Sequence, residues 1–496
     1  MNLAEYLSFH ARYRASQIAV DDDRASVTYA ELDDRARRTA TALIRRGVRP
    51  GDLVGVCLRD GAAPLALWMA IVRIGAVVIP MDWRWTAEEQ TQIGRVFRPR
   101  AIFVEQSRKP GDDLTIVRHD DAWEREVAAA PAHDRIVPGE DRPVIMNMSS
   151  GTTGLPKGNV HTHRTYLGIL MAQWVDIGQR PDDRILSVLP MASAAGRSGV
   201  LSAVLGGGSV RFMPPLVEPS EIVSAVEKYR IDTLCCVPAI LRQLLPLAVG
   251  DKVLLPCLRL LISVGAMLFP EESNAVRQRL SPNLVNYYGS TGGGVNTVLY
   301  PDELARKPGS VGRPVLGTDL EIVDDKDRRL PRGTTGRLRV RCPSTCKGIY
   351  PPDAADVSYR EGWHYPGDYA LIDEDGYLFL QGRYNDIIIR GGSNVYAPEV
   401  ERVLLGLTGV REVAVVGVPN EILGEDVVAF VAGDRPIERN EIMRHCRGKL
   451  AAYKVPTRIH FIDILPRNSA GKILKRKLLE IPDERVTPGG AGSKAE

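Results

Sequence analysis

The stretch Met148-Ser149-Ser150-Gly151-Thr152-Thr153-Gly154-Leu155-Pro156-Lys157-Gly158 is the most informative part of this sequence. It follows an apolar strand predicted over 143–148. Its glycines and small hydroxyl residues let the backbone approach a polyanion with amide and hydroxyl donors turned inward, and Lys157 adds a mobile positive charge. The spacing is not that of a Walker A motif, because no G-x-x-x-x-G-K-[ST] is present. The pattern predicts a phosphate-binding loop. The alternative is a flexible surface linker, although a linker gains nothing from a fixed Pro-Lys-Gly ending.

The chain around this loop has the composition of a globular protein with several domains. Its 496 residues are 44% hydrophobic and 25% charged, which is ordinary for globular domains, and the length suggests about three folding units at ~150 residues each. The net charge of +3 gives no overall field that would attract nucleic acid or an anionic membrane. The most apolar run, 62–81, is interrupted by Arg73, Gly75 and Pro80. It is therefore predicted as a buried helix, a glycine stop and a short strand rather than a membrane span.

The cysteines and the N-terminus predict a reducing, cytoplasmic location. The seven cysteines are scattered along the chain, at positions 57, 235, 236, 257, 342, 346 and 446. Their spacing fits neither a zinc ribbon nor a disulfide framework. The first residues include an acidic side chain and arginines but no apolar signal core.

The order of predicted elements indicates an α/β fold. Amphipathic helices (30–47 and 221–229) alternate with β-branched strands (53–57, 76–79, 233–237, 258–264 and 283–288), which is typical of a parallel sheet. From about residue 309, short strands at 320–323, 336–341 and 377–381 predict an antiparallel or barrel-like segment.

A second boundary is predicted near residues 382–385, which gives a large N-terminal domain over 1–384 and a small α+β domain over 385–496. In the small domain, helices are predicted at 397–405, 438–450 and 472–479, and strands at 412–418 and 426–431. The Gly- and Pro-containing tail, 487–496, is predicted to be mobile.

Several motifs, taken together, resemble those of the acyl-adenylate-forming superfamily, which includes acyl-CoA synthetases, the adenylation domains of peptide synthetases and firefly luciferase. Residues 149–158 match its phosphate loop, S-[SG]-G-T-T-G-x-P-K-G, throughout. Residues 286–291 (NYYGST) resemble its adenine-binding turn, and 363–368 (WHYPGD) its W-x-x-T-G-D segment. Residues 382–386 (GRYND) resemble the hinge, 390–401 the loop beyond it, and 466–472 (PRNSAGK) the C-terminal P-x-x-x-x-G-K motif.

The resemblance implies an ATP/AMP site built from residues that are far apart in the sequence. These residues are Ser149, Ser150, Gly151, Thr152, Thr153, Gly154, Lys157, Gly265, Ala266, Asn286, Tyr287, Tyr288, Gly289, Thr291, Asp368, Arg383 and Lys472. Lys472, Lys157 and Thr291 are the implied catalytic residues, with Lys472 neutralising charge on the α-phosphate.

Each implied contact also has a physical interpretation. Asn286 can hydrogen-bond the purine edge, while one of Tyr287 and Tyr288 stacks on adenine and the other is a core aromatic. Asp368 can accept bonds from the ribose hydroxyls, with Arg383 beside them. The alternative is that Asp368 is an ordinary turn residue and that Arg383 only pairs with a nearby carboxylate.

Three departures from the family pattern concern the metal, the acid and the hinge. Gly292 stands where the family has the glutamate that holds magnesium, and Asn385 replaces the usual hinge Asp or Lys. The acyl segment (190–196, PMASAAG) lacks the family's aromatic and histidine. The implied acyl pocket comprises Ala192, Ser193, Gly265, Gly289, Gly292 and Gly293. Its small residues suggest room for a bulky or ring-containing acid, or else other side chains fill the gap.

The resemblance implies a ligase that uses ATP and Mg²⁺ to activate a small-molecule carboxylic acid as an acyl adenylate. The C-terminal domain then pivots at Asn385 and brings Gly391 and Gly392 to the acyl group, with coenzyme A as the expected acceptor and co-substrate. An amine or a carrier-protein thiol is the alternative acceptor, and a non-catalytic nucleotide-binding protein is a further alternative. No nucleic-acid partner and no integral membrane association are expected. The oligomeric state, monomer or homodimer, is left open.

Overall fold

The computed structural model describes residues 1–105, 115–150, 156–214, 217–350, 358–467, 471 and 473–481. The chain forms two compact units. The first unit consists of Met1–Glu321, Arg339–Pro366 and Glu374–Leu378, and the second of Ile322–Leu338, Gly367–Asp373 and Phe379–Glu496. The functional boundary at residues 384 and 385 stays a prediction.

Thirteen α-helices lie within the described residues. They are α1 (Ala4–Tyr13), α2 (Tyr29–Arg45), α3 (Ala62–Arg73), α4 (Ala87–Phe97), α5 (Asp121–Ala129), α6 (His163–Ala172), α7 (Ala194–Gly206), α8 (Pro219–Lys228), α9 (Pro238–Leu244), α10 (Pro270–Arg279), α11 (Ala397–Leu405), α12 (Arg439–Arg447) and α13 (Lys475–Leu479).

The same residues form twenty-seven strands. They are β1 (Ile18–Asp21), β2 (Ser26–Thr28), β3 (Leu53–Cys57), β4 (Val77–Pro80), β5 (Ala101–Val104), β6 (Ile116–Arg118), β7 (Pro143–Ser150), β8 (Pro156–Thr162), β9 (Arg184–Ser187), β10 (Ser209–Phe212), β11 (Thr233–Cys236), β12 (Leu260–Ser263), β13 (Leu284–Ser290), β14 (Gly294–Leu299), β15 (Arg313–Pro314), β16 (Asp319–Val323), β17 (Gly336–Arg341), β18 (Gly348–Tyr350), β19 (Tyr359–Arg360), β20 (Trp363–His364), β21 (Asp368–Ile372), β22 (Leu378–Arg383), β23 (Ile387–Arg390), β24 (Ser393–Tyr396), β25 (Val410–Asn420), β26 (Gly424–Gly433) and β27 (Arg458–Phe461).

Two large mixed sheets form the framework of the first unit. One has nine strands in the order β15-β14-β13-β12-β11-β9-β10-β1-β2, and the other has seven in the order β18-β8-β7-β4-β3-β5-β6. Within the nine-stranded sheet, β13, β12, β11, β9, β10 and β1 run parallel to one another. Parallel strands must be covered on both faces, so helices separate them along the chain. The predicted α/β fold class is confirmed.

Local sequence signals account for the bounds of helices α2 and α3 in the first unit. Helix α2 begins at a capping box, in which Thr28 N donates to Glu31 Oε2 (2.8 Å) and Glu31 N donates to Thr28 Oγ1 (3.3 Å). Helix α3 is buried along nearly its whole length. It ends before Gly75, whose φ of 75° favours glycine, and β4 follows. The predicted helix, glycine stop and strand are therefore confirmed. Among the described residues, no helix combines the length and apolarity needed to cross a membrane.

The region after residue 309 pairs antiparallel, as predicted. In the first unit, Val340 of β17 pairs with His364 of β20. In the second unit, Gly336 and Arg337 of β17 pair with Ala370 and Tyr369 of β21.

The second unit has its own sheet and core. Strands β24-β23-β26-β25 form the sheet, and β27 pairs in parallel with β26. Helices α11 and α12 place Val400, Leu404 and Ile442 in a core with Val415 and Val431 of the sheet. This is the α+β arrangement predicted for the C-terminal part of the chain.

Candidate active site

The carboxyl ends of parallel strands in the first unit collect several of the predicted site residues. Strands β9, β11, β12 and β13 are parallel neighbours, so the residues that follow them lie at one edge of the sheet. Gly265 and Ala266 follow β12, the acyl segment (190–196) follows β9, and residues 286–289 form the end of β13. Open α/β sheets bind ligands at this edge.

The two consecutive tyrosines of β13 have different environments. Tyr287 is buried and packs in a core cluster with Val237 and Val264, and burial raises its pKa. Tyr288 is half-buried and, because side chains alternate along a strand, it shares a face with Asn286. Tyr287 is therefore the core aromatic of the pair, and Tyr288 stays the predicted adenine platform.

Residues 291–294 form a turn that carries Thr291 (the Thr291 turn). Three successive backbone carbonyls of this turn accept hydrogen bonds from surrounding residues. His161 Nε2 lies 3.2 Å from Thr291 O, and Cys346 N donates to Gly292 O at 2.8 Å. Ser344 Oγ donates to Gly293 O at 2.7 Å. Burial lowers the pKa of His161 to about 4, so its ring is neutral at pH 7 and donates from Nε2.

The room expected at Gly292 is filled by Tyr359. A Cβ added to Gly292 would lie 1.8 Å from Tyr359 Oη and 3.1 Å from Asn159 Oδ1. The tyrosine is fixed there because its hydroxyl donates to Asn159 Oδ1 (3.0 Å) and accepts from Cys346 Sγ (2.7 Å).

Neighbouring side chains also occupy the space beside the next glycine. A Cβ on Gly293 would lie 2.6 Å from Ser290 Oγ. The glycines of the Thr291 turn therefore allow close packing, which agrees with the alternative that other side chains fill the gap at these positions.

The surroundings of Gly292 do not fit a magnesium ion held by protein carboxylates. The side chains at this position are the hydroxyl of Tyr359 and the amide of Asn159. Across the described part of the chain, no group of three or more His, Cys, Asp or Glu side chains could hold a metal ion. Magnesium accepts phosphate and water oxygens as ligands, and the predicted Mg²⁺ requirement stays a prediction.

The phosphate-loop motif begins and ends on two paired strands. Ser149 pairs with Lys157 and Ser150 with Pro156 in the antiparallel β7–β8 ladder, and Lys157 is half-buried. The predicted contacts of Gly151, Thr152, Thr153 and Gly154 lie outside the described residues.

The acyl segment leads directly into α7. Ser193 caps this helix by accepting from Gly196 N (3.1 Å), and its hydroxyl donates to Pro190 O (2.8 Å). Both hydrogen bonds of the hydroxyl are therefore made inside the segment. Ala192 and Ser193 are half-buried, and their place in an acyl pocket stays a prediction.

In the second unit, the two predicted ribose ligands contact each other. Arg383 Nε lies 3.0 Å from Asp368 Oδ1, with the carboxylate largely buried and the guanidinium exposed. Tyr384 N also donates to Gly367 O at 2.8 Å, which fixes the turn before Asp368. The ion pair agrees with the alternative given for Arg383, and it also orients both polar groups.

The predicted hinge and CoA loop are next to each other in the second unit's sequence. Asn385 is the central residue of a short 3₁₀ turn, Tyr384–Asp386. Gly391 and Gly392 connect β23 to β24, with φ values of 56° and 76°. Two positive φ values are what a two-residue type I′ hairpin requires, so the glycines have a structural reason beside the predicted CoA contact. Lys472 lies outside the described residues.

Several polar residues at this site have no counterpart in the sequence-based prediction. Asn159 and His161 are buried on β8, and Arg197 is buried on α7. Tyr359 packs against Gly292 of the Thr291 turn. Only Arg197 leaves a sequence signal, as a single charged side chain in an otherwise uncharged helix.

Parallel strands deliver residues 265–266 and 286–289 to one edge of the sheet. His161 of β8, one of the strands that bound the Ser/Gly/Thr motif, contacts Thr291 next to that edge. This arrangement is typical of nucleotide-binding α/β enzymes. The profile of the AMP-binding enzyme family matches residues 8–350, and that of the AMP-binding enzyme C-terminal domain matches residues 399–472. The chain therefore belongs to the AMP-binding enzyme family, and the resemblance to the acyl-adenylate-forming superfamily is confirmed.

Two relatives that match almost the whole chain are acid ligases. The chain is 31% identical to the long-chain-fatty-acid–CoA ligase FadD13 of Mycobacterium tuberculosis, over 92% of this chain and 93% of that protein. It is 33% identical to the fatty acid–[acyl-carrier-protein] ligase ScoC of Streptomyces coeruleorubidus, over 96% and 95%. The ATP-bound structure of MatB from Rhodopseudomonas palustris superimposes with a TM-score of 0.86 at 28% identity, covering 97% of this chain and 99% of that one.

Proposed function

We propose that this adenylate-forming enzyme activates a carboxylic acid with ATP and transfers the acyl group to coenzyme A. The observation that carries the proposal is that relatives matching almost the whole chain are ligases of carboxylic acids. A carboxylate oxygen attacks the α-phosphorus, the bond to pyrophosphate breaks, and acyl-AMP forms. The CoA thiol, having lost its proton, then attacks the acyl carbonyl, and AMP leaves as the thioester forms.

The chain's own residues bind and orient the reactants in this scheme. Lys157 and Lys472 offset negative charge on the phosphates, and Thr291 directs its hydroxyl to the α-phosphate. Such transfers depend on positioning and electrostatic stabilisation more than on covalent participation of the protein. The carbonyl bonds to the Thr291 turn support this role, because they fix the backbone from which the hydroxyl extends.

The C-terminal residues 385–496 supply the change between the two half-reactions. We propose that they pivot at Asn385, which exchanges Lys472 for the Gly391–Gly392 hairpin at the acyl group. The hairpin tip can approach a narrow thiol arm closely because neither residue carries a side chain.

A panel of acids with ATP, Mg²⁺ and CoA tests the proposal. Ferulate, indole-3-acetate and palmitate should be compared, with the thioester identified by mass and pyrophosphate measured in parallel. Pyrophosphate release that depends on an acid supports adenylation, and its absence with every acid would favour a non-catalytic nucleotide-binding protein.

A carrier-protein thiol is the second candidate acceptor, because ScoC is a ligase for an acyl carrier protein. The same assay with holo-acyl carrier protein, or with an amine, in place of CoA separates the three acceptors. The acceptor that gives the product at the highest rate is assigned as the acyl acceptor of this enzyme.

Lys472→Ala tests the catalytic assignment. We expect a loss of adenylation on the order of a hundredfold or more, the usual effect of removing one preorganised charge. Lys477→Ala is the matched control, because Lys477 is an exposed lysine of the same basic run. Equal activity of the two variants would remove Lys472 from the mechanism.

A further inference from the structure

The acyl segment (190–196) is held by a guanidinium from the helix that follows it. Arg197 is only 1% exposed. Its Nη1 donates to Met191 O at 2.8 Å, and lies 3.3 Å from both Ala192 O and Ser193 O. Three successive carbonyls of the segment therefore converge on one nitrogen.

A second side chain holds the same segment from another element. Asp60, which follows β3, accepts a hydrogen bond from Met191 N at 2.9 Å. The two main-chain polar groups of Met191 are thus bonded by side chains, one acidic and one basic. The other side of the guanidinium is fixed because Arg197 Nη2 donates to Asn147 Oδ1 of β7.

No carboxylate among the described residues forms a direct ion pair with Arg197, and Asp60 acts on its charge through space. Its contacts, within the part of the chain that the structure describes, include three carbonyls, the Asn147 amide oxygen and the ring of Trp68, 5.8 Å from the guanidinium carbon to the ring centroid. The Tyr166 side chain also interacts with the guanidinium. A buried cation is costly unless its donors are well used. Here Nη1 is used on the segment that carries Ala192 and Ser193, the predicted lining of the acyl pocket, and Nη2 is used on Asn147.

We propose that Arg197 and Asp60 are positioning residues that fix the backbone of the acyl segment and so determine which acids the enzyme accepts. The inference rests on the proposed function, because the segment matters for selectivity only if an acid binds beside it. It adds to that function two residues that contact the segment's backbone.

The contacts of Arg197 and Asp60 with the backbone of the acyl segment (the clamp) depend on pH through Asp60. The charged groups that act on Asp60 are Asp82, Arg84 and Arg197, and burial raises the pKa of Asp60 to about 7. Ionised Asp60 accepts the Met191 amide proton and offsets the charge of Arg197. Protonation weakens both effects, so the segment loosens as the pH falls through about 7.

Hydrogen exchange of the segment's amides tests the clamp without any substrate. Arg197→Met and Asp60→Ala should speed exchange within residues 191–196 on the order of tenfold, about the effect of one lost hydrogen bond. Arg73→Met is the matched control: Arg73 is also a buried first-unit arginine, bonded to Asp33 Oδ1 and Ser8 Oγ (both 2.6 Å). Exchange of the segment that is no faster in Arg197→Met than in Arg73→Met would overturn the proposal.

Steady-state kinetics with the best acid among ferulate, indole-3-acetate and palmitate test selectivity. Arg197→Met should lower kcat/KM for the acid by up to a hundredfold, as a displaced binding segment can, while the KM for ATP changes less than about twofold. Arg197→Lys should recover part of the loss. Equal effects on acid and ATP would contradict the positioning role.

The pH profile gives a readout that a merely structural role would not change. In the wild type, kcat/KM for the acid should fall as the pH drops through about 7, and Asp60→Asn should remove this limb. A limb that persists in Asp60→Asn would overturn the part played by Asp60. If no acid is turned over by the wild type, the proposed function fails, and the exchange experiment still decides whether the clamp exists.

Discussion

Gly292→Ala should destabilise the first unit, because the new methyl group cannot fit beside Tyr359. The added Cβ would lie 1.8 Å from Tyr359 Oη and 3.0 Å from Cζ, so the ring must move. Overpacking of this kind costs about 1–3 kcal/mol. Moving the ring also breaks the hydroxyl's bonds to Asn159 and Cys346, each worth about 1 kcal/mol. We expect the free energy of unfolding to fall by roughly 3–5 kcal/mol in total.

Urea unfolding followed by tryptophan fluorescence measures this loss in the correct unit. All six tryptophans, at positions 68, 83, 85, 123, 174 and 363, belong to the first unit, so the signal does not report the second. Gly348→Ala is the matched control, because a Cβ on Gly348 would meet nothing within 4 Å.

A double-mutant cycle with Tyr359→Phe identifies the cause. Phenylalanine lacks the oxygen that the methyl group would strike, so Gly292→Ala should cost about 1–2 kcal/mol less when it is combined with Tyr359→Phe, within the usual range for contacting residues. Additive effects, or a Gly292→Ala variant as stable as Gly348→Ala, would refute the packing argument.

Other outcomes follow from groups in both units. Burial lowers the pKa of His161 and His163 from 6.5 to about 4. Between pH 6.5 and 4 the unfolded chain therefore binds more protons than the folded chain, so the free energy of unfolding should fall as the pH drops. The loss should reach roughly 3 kcal/mol per histidine at the acid end. Urea unfolding across this range measures the slope, and His161→Gln should reduce it. Gly392→Val should destabilise the second unit more than Gly392→Asn, because asparagine tolerates positive φ; hydrogen exchange of β23 and β24 measures the difference. Asp368→Asn should weaken AMP binding roughly tenfold or more, since a hydrogen bond to a charged group contributes about 1.5–3 kcal/mol; calorimetric titration with AMP tests it, and unchanged affinity would contradict the ribose contact.

Much of the α/β framework could be predicted because its signals are local. Strand β3 was expected at 53–57 and forms there, since it is a short β-branched run between turn signals. Strand β8 gave no such signal. It contains Lys157, Asn159 and His161, and the last two are buried and form hydrogen bonds with distant residues. Tertiary contacts of this kind stabilise a strand that the local sequence pattern does not predict.

The limits of prediction at the site have the same cause. Small residues at 292–294 suggested open space, but whether a glycine leaves space depends on what packs against it. Tyr359 is 200 positions from its partner Asn159, and Arg197 is 50 from Asn147. A motif can be recognised because its residues are close together in the sequence, whereas these contacts form only when the sheets bring distant residues together.

Isotope transfer from the acid to AMP tests the central claim most directly. The wild-type enzyme should be incubated with ATP, CoA and the best acid of the panel labelled with ¹⁸O in both carboxylate oxygens, and the products analysed by mass spectrometry. Attack of the carboxylate on the α-phosphorus predicts AMP carrying one ¹⁸O atom and unlabelled pyrophosphate. ADP with labelled inorganic phosphate, or AMP without label, would contradict the formation of an acyl adenylate.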